Sequence, residues 1–135
     1  MLTLVCAVVG EKGSAFAVDI DANESVADLK DAIKRKNDNY LKRVDAKNLQ
    51  LFLGKKSDGT WLDSSAVEAV TRNGNGYPEG FMHMHPLLWI KNPKNFGESF
   101  EPNEGEIHVL VVVPENDQEQ WDEARARKKA RTQAT

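Results

Sequence analysis

Apolar residues alternate with polar ones near the start of the chain, and this pattern predicts a β-hairpin. Residues 2–9 are rich in leucine and valine, and residues 10–13 have the composition of a turn. Phe16, Val18 and Ile20 then recur at every second position, which places them on one face of a second strand. The connection between the strands has about four residues, a common hairpin length.

The next segment has the three- and four-residue spacing of an amphipathic helix. Val26, Leu29 and Ile33 form one apolar stripe. Ser25 with Asp28 has the pattern of a capping box, which marks the start of a helix. Basic residues follow Ile33, where they suit the negative end of the helix dipole. The sequence therefore predicts one main helix that begins after Ser25.

Two later apolar segments predict further strands. Residues 49–53 form a short one, and the run IHVLVVVP at 107–114 is apolar at nearly every position, as in a central strand covered on both faces. Residues 71–106 between them contain four of the chain's five prolines. So long an irregular segment is uncommon unless it has structure of its own. We predict an insertion over about 71–106 that packs against the core.

The order of these elements predicts the fold class. It runs hairpin, helix, strand, insertion and last strand, and the two most apolar strands, the first and the last, are expected side by side in the middle of a mixed sheet. With the helix packed across the sheet, this is an α+β fold, a ubiquitin-like β-grasp roll. A fold class alone does not specify a function.

Composition and charge describe an ordinary globular domain. The 135 residues suffice for one core, and a net charge of −3 gives no overall attraction to nucleic acid. No apolar run approaches the ~18 residues of a membrane-spanning helix. The run at 2–10 with Ala15-Phe16-Ala17 is similar to a short signal peptide with its cleavage site. A strand is favoured, because no basic residue follows Met1 and Glu11-Lys12 interrupt the pattern.

Candidate chemistry is sparse, and we predict no enzymatic activity and no cofactor. Cys6 is the lone cysteine and has no base near it in sequence, so it is interpreted as a buried core residue. His83 and His85 alternate and have the spacing to ligate a metal, but only His108 remains as a third histidine, so no metal site is predicted. The glycine-rich segment 73–80 lacks the pattern of a phosphate-binding loop.

Two motifs resemble those of a known family. LQLFLGK at 49–55 closely resembles the L-x-L-F-L-A-K motif of the crinkler family of secreted effectors from oomycete plant pathogens, with glycine in place of alanine. HVLVVVP at 108–114 resembles the H-V-L-V-x-x-P motif that closes the family's N-terminal region, and Trp61-Leu62 resemble a tryptophan-leucine element between the two. The translocation motif comprises Leu49, Leu51, Phe52, Leu53, Gly54 and Lys55, and the domain-end motif comprises His108, Val109, Leu110, Val111 and Pro114.

The resemblance implies a secreted, modular protein whose N-terminal domain, here 1–114, supports export and delivery into host cells. In such proteins a C-terminal domain carries the intracellular activity, commonly in the host nucleus. Residues 115–135 are then the start of a linker to that domain or a disordered terminus. Expected partners are host or secretory-pathway proteins, and the domain is expected to be a monomer. The alternative is an intracellular ubiquitin-like interaction module with no delivery role.

The basic end of the tail is a candidate nuclear-import segment that would bind an import receptor. Residues 125–131 hold five positive charges in seven residues, a density typical of such segments. Specific nucleic-acid binding is not expected, because so few charges without interleaved aromatic residues attract nucleic acid only weakly. The basic residues are Arg125, Arg127, Lys128, Lys129 and Arg131.

The predicted strand and the resemblance to a translocation motif over 49–55 lead to opposite expectations about which side chains are accessible. If Leu49, Leu51 and Leu53 are buried in a sheet, a receptor cannot contact them on the folded protein. Only the end of the motif at Lys55 is then expected to be accessible.

Overall fold

A mixed four-stranded sheet and one main helix form the domain. The computed structural model describes residues 1–10, 15–39, 41–42, 44–63, 65–74 and 76–113. The helix α1 is Val26–Lys36, and the strands are β1 (Leu2–Val8), β2 (Phe16–Ile20), β3 (Gln50–Leu53), β4 (Leu62–Asp63), β5 (Glu106–Ile107) and β6 (Val109–Val112). Two short 3-10 helices lie at Ala46–Asn48 and Val67–Ala69.

The main sheet has the strand order β2-β1-β6-β3. β1 is antiparallel to β2 and parallel to β6, with Cys6 opposite Val109. β3 is antiparallel to β6. The first and last strands therefore lie together in the middle of a β-grasp-like sheet, and the predicted α+β class is confirmed.

The helix begins where its capping box predicts. The Ser25 hydroxyl oxygen accepts a hydrogen bond from the Asp28 backbone N–H (3.2 Å), and the Asp28 carboxylate accepts one from the Ser25 N–H (3.0 Å). Val26, Leu29 and Ile33 are fully buried against the sheet. The predicted apolar stripe is thus the face that packs.

Apolar side chains cover the sheet on both faces, which explains why the last strand has no polar alternation. Val109 and Val111 face the helix side, whereas Leu110 and Val112 face the opposite side. The helix-side core also contains Leu4, Cys6, Val18, Ile20, Leu49, Leu51, Leu53, Met84 and Ile90. The opposite core contains Ala7, Val9, Phe52, Leu62 and Ile107.

The prediction of one continuous strand over 107–114 was wrong in one respect, because the run is divided at His108. Ile107 belongs to β5 and pairs with Leu62 in a separate two-stranded sheet. The strand resumes only at Val109, in β6. At the break, the His108 ring accepts a hydrogen bond from the Val5 N–H (2.9 Å), taking the place that a backbone carbonyl has in a continuous ladder.

The insertion covers the outer edge of β3. The Leu53 N–H donates to the Met82 carbonyl, and the Met84 N–H donates to the Leu51 carbonyl, both at 2.8 Å. Met84 is buried in the helix-side core. The predicted packing of this segment against the core is confirmed at these residues.

The same insertion also provides acceptors for the start of the helix. The first N–H groups of a helix have no partner within it. Here the Val26 N–H donates to the Leu88 carbonyl (2.9 Å), and the Ala27 N–H donates to the Pro86 carbonyl (3.0 Å). Within the described ranges, no helix is both long and apolar enough to cross a membrane.

Candidate functional site

The two longer motifs of the sequence lie side by side, because β3 carries the first and β6 carries most of the second. Leu51 is opposite Val111, and Leu53 is opposite Val109. Residues separated by more than fifty positions are thus direct neighbours in the sheet. The candidate site is therefore the place where β3 ends and β6 begins.

The backbone of a single residue, Gly54, connects all three motifs. The Gly54 N–H donates to the His108 carbonyl, and the Gly54 carbonyl accepts from the Leu62 N–H, both at 2.8 Å. Leu62 in turn pairs with Ile107. We call Gly54, Trp61, Leu62, Ile107 and His108 the motif junction.

Gly54 has no room for a side chain. A Cβ atom at this position would overlap the carbonyl oxygen of Ile107 and would lie 3.0 Å from its carbonyl carbon. Glycine allows one backbone to approach another this closely. The residue that ends the apolar part of the first motif is therefore also the closest packing point of the motif junction.

The apolar residues of the first motif are inaccessible on the folded protein. Leu49 and Leu51 are 0% exposed and Leu53 is 5% exposed, all on the helix side of the sheet. Phe52 is 4% exposed and belongs to the opposite core. Lys55 is exposed. The expected burial is confirmed, and the motif reaches the surface at its lysine.

A tight turn follows and presents two ammonium groups to solvent. Lys55 and Lys56 are exposed, and the Lys56 N–H donates to the Thr60 carbonyl (2.7 Å). The Asp58 carboxylate accepts hydrogen bonds from the Thr60 hydroxyl (2.6 Å) and N–H (2.9 Å), and these bonds lower the pKa of Asp58. We call residues 55–60 the lysine hairpin. Its geometry is fixed by backbone bonds, so the two lysines are held beside the motif junction.

His108 is buried with hydrogen bonds at both ring nitrogens. Its Nδ1 accepts from the Val5 N–H at 2.9 Å, and its Nε2 donates to the Glu106 carboxylate at 3.1 Å. The ring is therefore neutral with its proton on Nε2. Burial lowers the pKa of His108, and the hydrogen bond and negative charge of Glu106 offset this only in part. Burial raises the pKa of Glu106, but hydrogen bonds to Asn103 and His108 leave it below its usual value.

An aromatic cluster surrounds the histidine. Trp61 stacks on Phe96 with ring centroids 5.6 Å apart, and Phe100 lies 5.3 Å from Trp61. The His108 ring meets Trp61 and Phe100 edge-on, each at 5.5 Å. Sequence reasoning identified Trp61 and His108 but missed Phe96, Phe100 and Glu106. The two phenylalanines lie in the irregular insertion, where no periodicity indicated which aromatic residues pack.

The structure gives each of the remaining chemical candidates a simple structural role. Cys6 is fully buried, and burial raises the pKa of its thiol far above its usual value. His83 Nε2 lies 2.8 Å from the Gln50 side-chain oxygen, and His85 Nδ1 accepts from the Leu87 N–H at 3.1 Å. In the part of the chain that the structure describes, no three His, Cys, Asp or Glu side chains are grouped as a metal site.

Two sets of predicted site residues lie outside the described residues. One is Pro114, the last position of the domain-end motif. The other is the candidate nuclear-import segment, Arg125, Arg127, Lys128, Lys129 and Arg131. Their roles stay predictions from sequence.

Comparison with known proteins gives one family. Residues 2–112 match the Crinkler effector protein N-terminal domain. The matched range contains the whole motif junction and the lysine hairpin. No solved structure is significantly similar to the chain.

Individual relatives come from Phytophthora species. Crinkler effector protein 4 of Phytophthora capsici is 52% identical over 114 residues, which cover 84% of this chain and 26% of the relative. Crinkler effector protein 63 of Phytophthora sojae is 41% identical over 128 residues, covering 85% and 28%. Crinkler effector protein 5 of Phytophthora infestans is 39% identical over 116 residues, covering 84% and 33%. The chain thus spans about a quarter to a third of the length of these relatives.

Proposed function

Because the chain belongs to the crinkler effector family, we propose that it is the N-terminal secretion and translocation module of such an effector. The module is exported, enters a host cell as part of the effector, and is non-catalytic and monomeric. Its relatives are named as effectors, and the matched domain is a small part of each of them. The intracellular activity of the effector then belongs to other parts of the protein.

The observation that carries this proposal is the convergence of the three motifs at the motif junction. The motif leucines are buried, so they support delivery by holding the fold together rather than by contacting a receptor. The accessible part of the first motif is its basic end. We propose that the lysine hairpin is the surface that a host or secretory-pathway protein contacts, with Lys55 and Lys56 as its charged groups.

The proposal is tested by separating stability from delivery. The module is fused to a reporter, expressed in an oomycete that infects plants, and followed into host cells. Removing both hairpin charges (Lys55→Ala with Lys56→Ala) is expected to reduce delivery several-fold and to leave the melting temperature unchanged. The control removes two exposed lysines elsewhere (Lys42→Ala with Lys94→Ala) and keeps delivery.

Two outcomes contradict this assignment. Equal delivery by the hairpin and control variants rejects the lysine hairpin as the recognised surface. Delivery lost by Leu51→Ala at unchanged stability rejects the structural role of the motif leucines.

Inside the host cell we propose that the basic segment 125–131 directs the protein to the nucleus through an import receptor. The density of positive charge in this segment supports the role, because import receptors bind basic segments in an extended form. The test is a fluorescent fusion too large for passive diffusion, compared with its Lys128→Ala, Lys129→Ala variant in plant cells. Loss of nuclear signal in the variant is expected, and equal signal contradicts the role.

A second candidate function is a protein-interaction module with no delivery role. It is favoured by two large apolar side chains at the surface, Leu87 (79% exposed) and Trp89 (54% exposed). The Trp89 carbonyl accepts from the Asn95 side-chain amide at 2.8 Å, so the loop is held in place. Under this alternative the reporter fusion stays in the cell that makes it. Detection of the fusion in host cells rejects it.

A further inference from the structure

The ring of His108 joins two parts of the chain through its two nitrogens. On one side it accepts the Val5 N–H of β1 at 2.9 Å, and on the other it donates to the Glu106 carboxylate of β5 at 3.1 Å. Its own backbone N–H also donates to the Val5 carbonyl at 2.8 Å. The side chain is 1% exposed, so water cannot replace a bond that is lost.

These bonds require the neutral ring. A protonated imidazole carries a hydrogen on both nitrogens and has no acceptor left. Its Nδ1–H would then point at the Val5 N–H, two donors facing each other. Protonation therefore removes the bond to Val5 and leaves a positive charge inside the aromatic cluster.

From this geometry we infer that His108 acts as a proton-sensitive connection, which holds the motif junction closed at neutral pH and releases it from β1 in mildly acidic solution. The inference does not rest on the delivery proposal, because it concerns the stability of the purified chain. It adds a property that neither the family motifs nor the burial of the leucines implies.

The groups around His108 do little to stabilise the positive charge of its protonated ring. From β5 the Glu106 carboxylate contributes one negative charge, and it is the titratable group that acts on the His108 pKa within the described residues. From β1 the neighbouring Cys6 is a neutral thiol. From the other two sides Trp61 and Phe100 present aromatic rings. Burial outweighs Glu106, so the folded protein keeps the ring neutral below the usual pKa.

The sign of the pH dependence follows. In the unfolded chain a histidine has a pKa of about 6.5, and in the folded chain the pKa of His108 is lower. The unfolded state therefore binds a proton first, so stability is fully present above about pH 6.5 and falls as the pH decreases toward the folded-state pKa. One such histidine raises the unfolding constant by at most about tenfold for each unit by which the pH decreases.

The first experiment uses the unaltered 135-residue chain and follows amide hydrogen exchange by NMR between about pH 7 and about pH 5. After correction for the intrinsic exchange rate, protection of the Val5 amide is expected to fall several-fold more than protection of the Val9 amide. The Val9 N–H is directed to the same edge of the strand as the Val5 N–H, but it donates to the Val111 carbonyl at 2.9 Å, away from the histidine. An equal change at both amides overturns the inference.

The second experiment measures urea unfolding over the same pH range for two variants. His108→Asn retains an acceptor oxygen near Val5 and does not titrate, so its unfolding constant is expected to lose the share of the pH dependence between about pH 6.5 and about pH 5 that His108 contributes. His83→Asn is the control, because burial and the charges of Lys30 and His85 also lower the pKa of His83, whereas its ring hydrogen-bonds to the side chain of Gln50 in β3 and not to a strand backbone. A slope that stays at the wild-type value in His108→Asn overturns the inference.

Discussion

The backbone of Gly54 lies against the carbonyl of Ile107 so closely that a Cβ atom on the glycine would overlap the carbonyl oxygen. The family motif that this segment resembles has alanine at the same position. An alanine at this position in this chain would require the backbone around residue 107 to shift. Glycine therefore allows the close contact between residues 54 and 107.

We expect Gly54→Ala to lower the free energy of unfolding by about 1–3 kcal/mol, because the neighbouring group is backbone and cannot rotate away. Chemical denaturation monitored by tryptophan fluorescence measures the change. Gly74→Ala is the matched control. An added Cβ at Gly74 meets nothing within 4 Å, so a change within about 0.5 kcal/mol is expected. Equal effects of the two substitutions would contradict the close contact.

The motif leucines are expected to be essential for stability. Leu51→Ala and Leu53→Ala each remove a buried side chain and should cost about 2–5 kcal/mol. Lys55→Ala removes an exposed charge and should change stability by less than about 0.5 kcal/mol. Thermal melts of the three variants give the comparison. Leucine variants that melt like the wild type would show that the strand is not packed as described.

A charge on the inner face of α1 is expected to unfold the domain. Leu29→Asp or Ile33→Asp would bury a carboxylate at a cost of several kcal/mol, comparable with the whole stability of a domain of this size. Ala27→Asp adds the same charge on the exposed face and in the first turn, where the helix dipole favours it. Circular dichroism distinguishes the unfolded variants from the folded Ala27→Asp control. A folded Leu29→Asp protein would be incompatible with the packing of this helix.

The single thiol reports on opening of the sheet. Burial raises the pKa of Cys6, and the reactive form of a cysteine is the thiolate. A disulfide reagent at mildly alkaline pH is therefore expected to react slowly with the native protein and at once in denaturant, with one thiol per chain. The absorbance of the released reagent follows the reaction. Reaction at the rate of a free thiol in native buffer would refute the burial.

Local patterns were sufficient to predict the elements whose cause is local. Phe16, Val18 and Ile20 share one face of β2 because their spacing is that of a strand, and Ser25 caps α1 through Asp28, three residues away. The wholly apolar composition of β6 predicted coverage on both faces. In each case the residues that determine the structure lie within a few positions of one another.

The structural features that the sequence did not predict depend on contacts between residues that are distant in sequence. Nothing near His108 indicates that its ring bonds to Val5, 103 positions earlier, and so divides an apolar run into two strands. No turn signal or periodicity in the sequence predicts that Met82 and Met84 pair with β3. The lack of space at Gly54 depends on where β5 passes, which only the assembled fold defines.

The parallel pairing of β1 with β6 has a mechanical consequence. The chain enters the sheet at the N-terminal end of β1 and leaves it at the C-terminal end of β6, and in parallel strands these points lie at opposite ends of the shared ladder. Tension between the two points therefore loads the ladder in shear, from Cys6 and Val109 to Val8 and Val111, instead of opening its bonds one by one. Forced unfolding depends on the height of the unfolding barrier. A device that pulls on both ends of this domain must therefore break the whole central ladder at once.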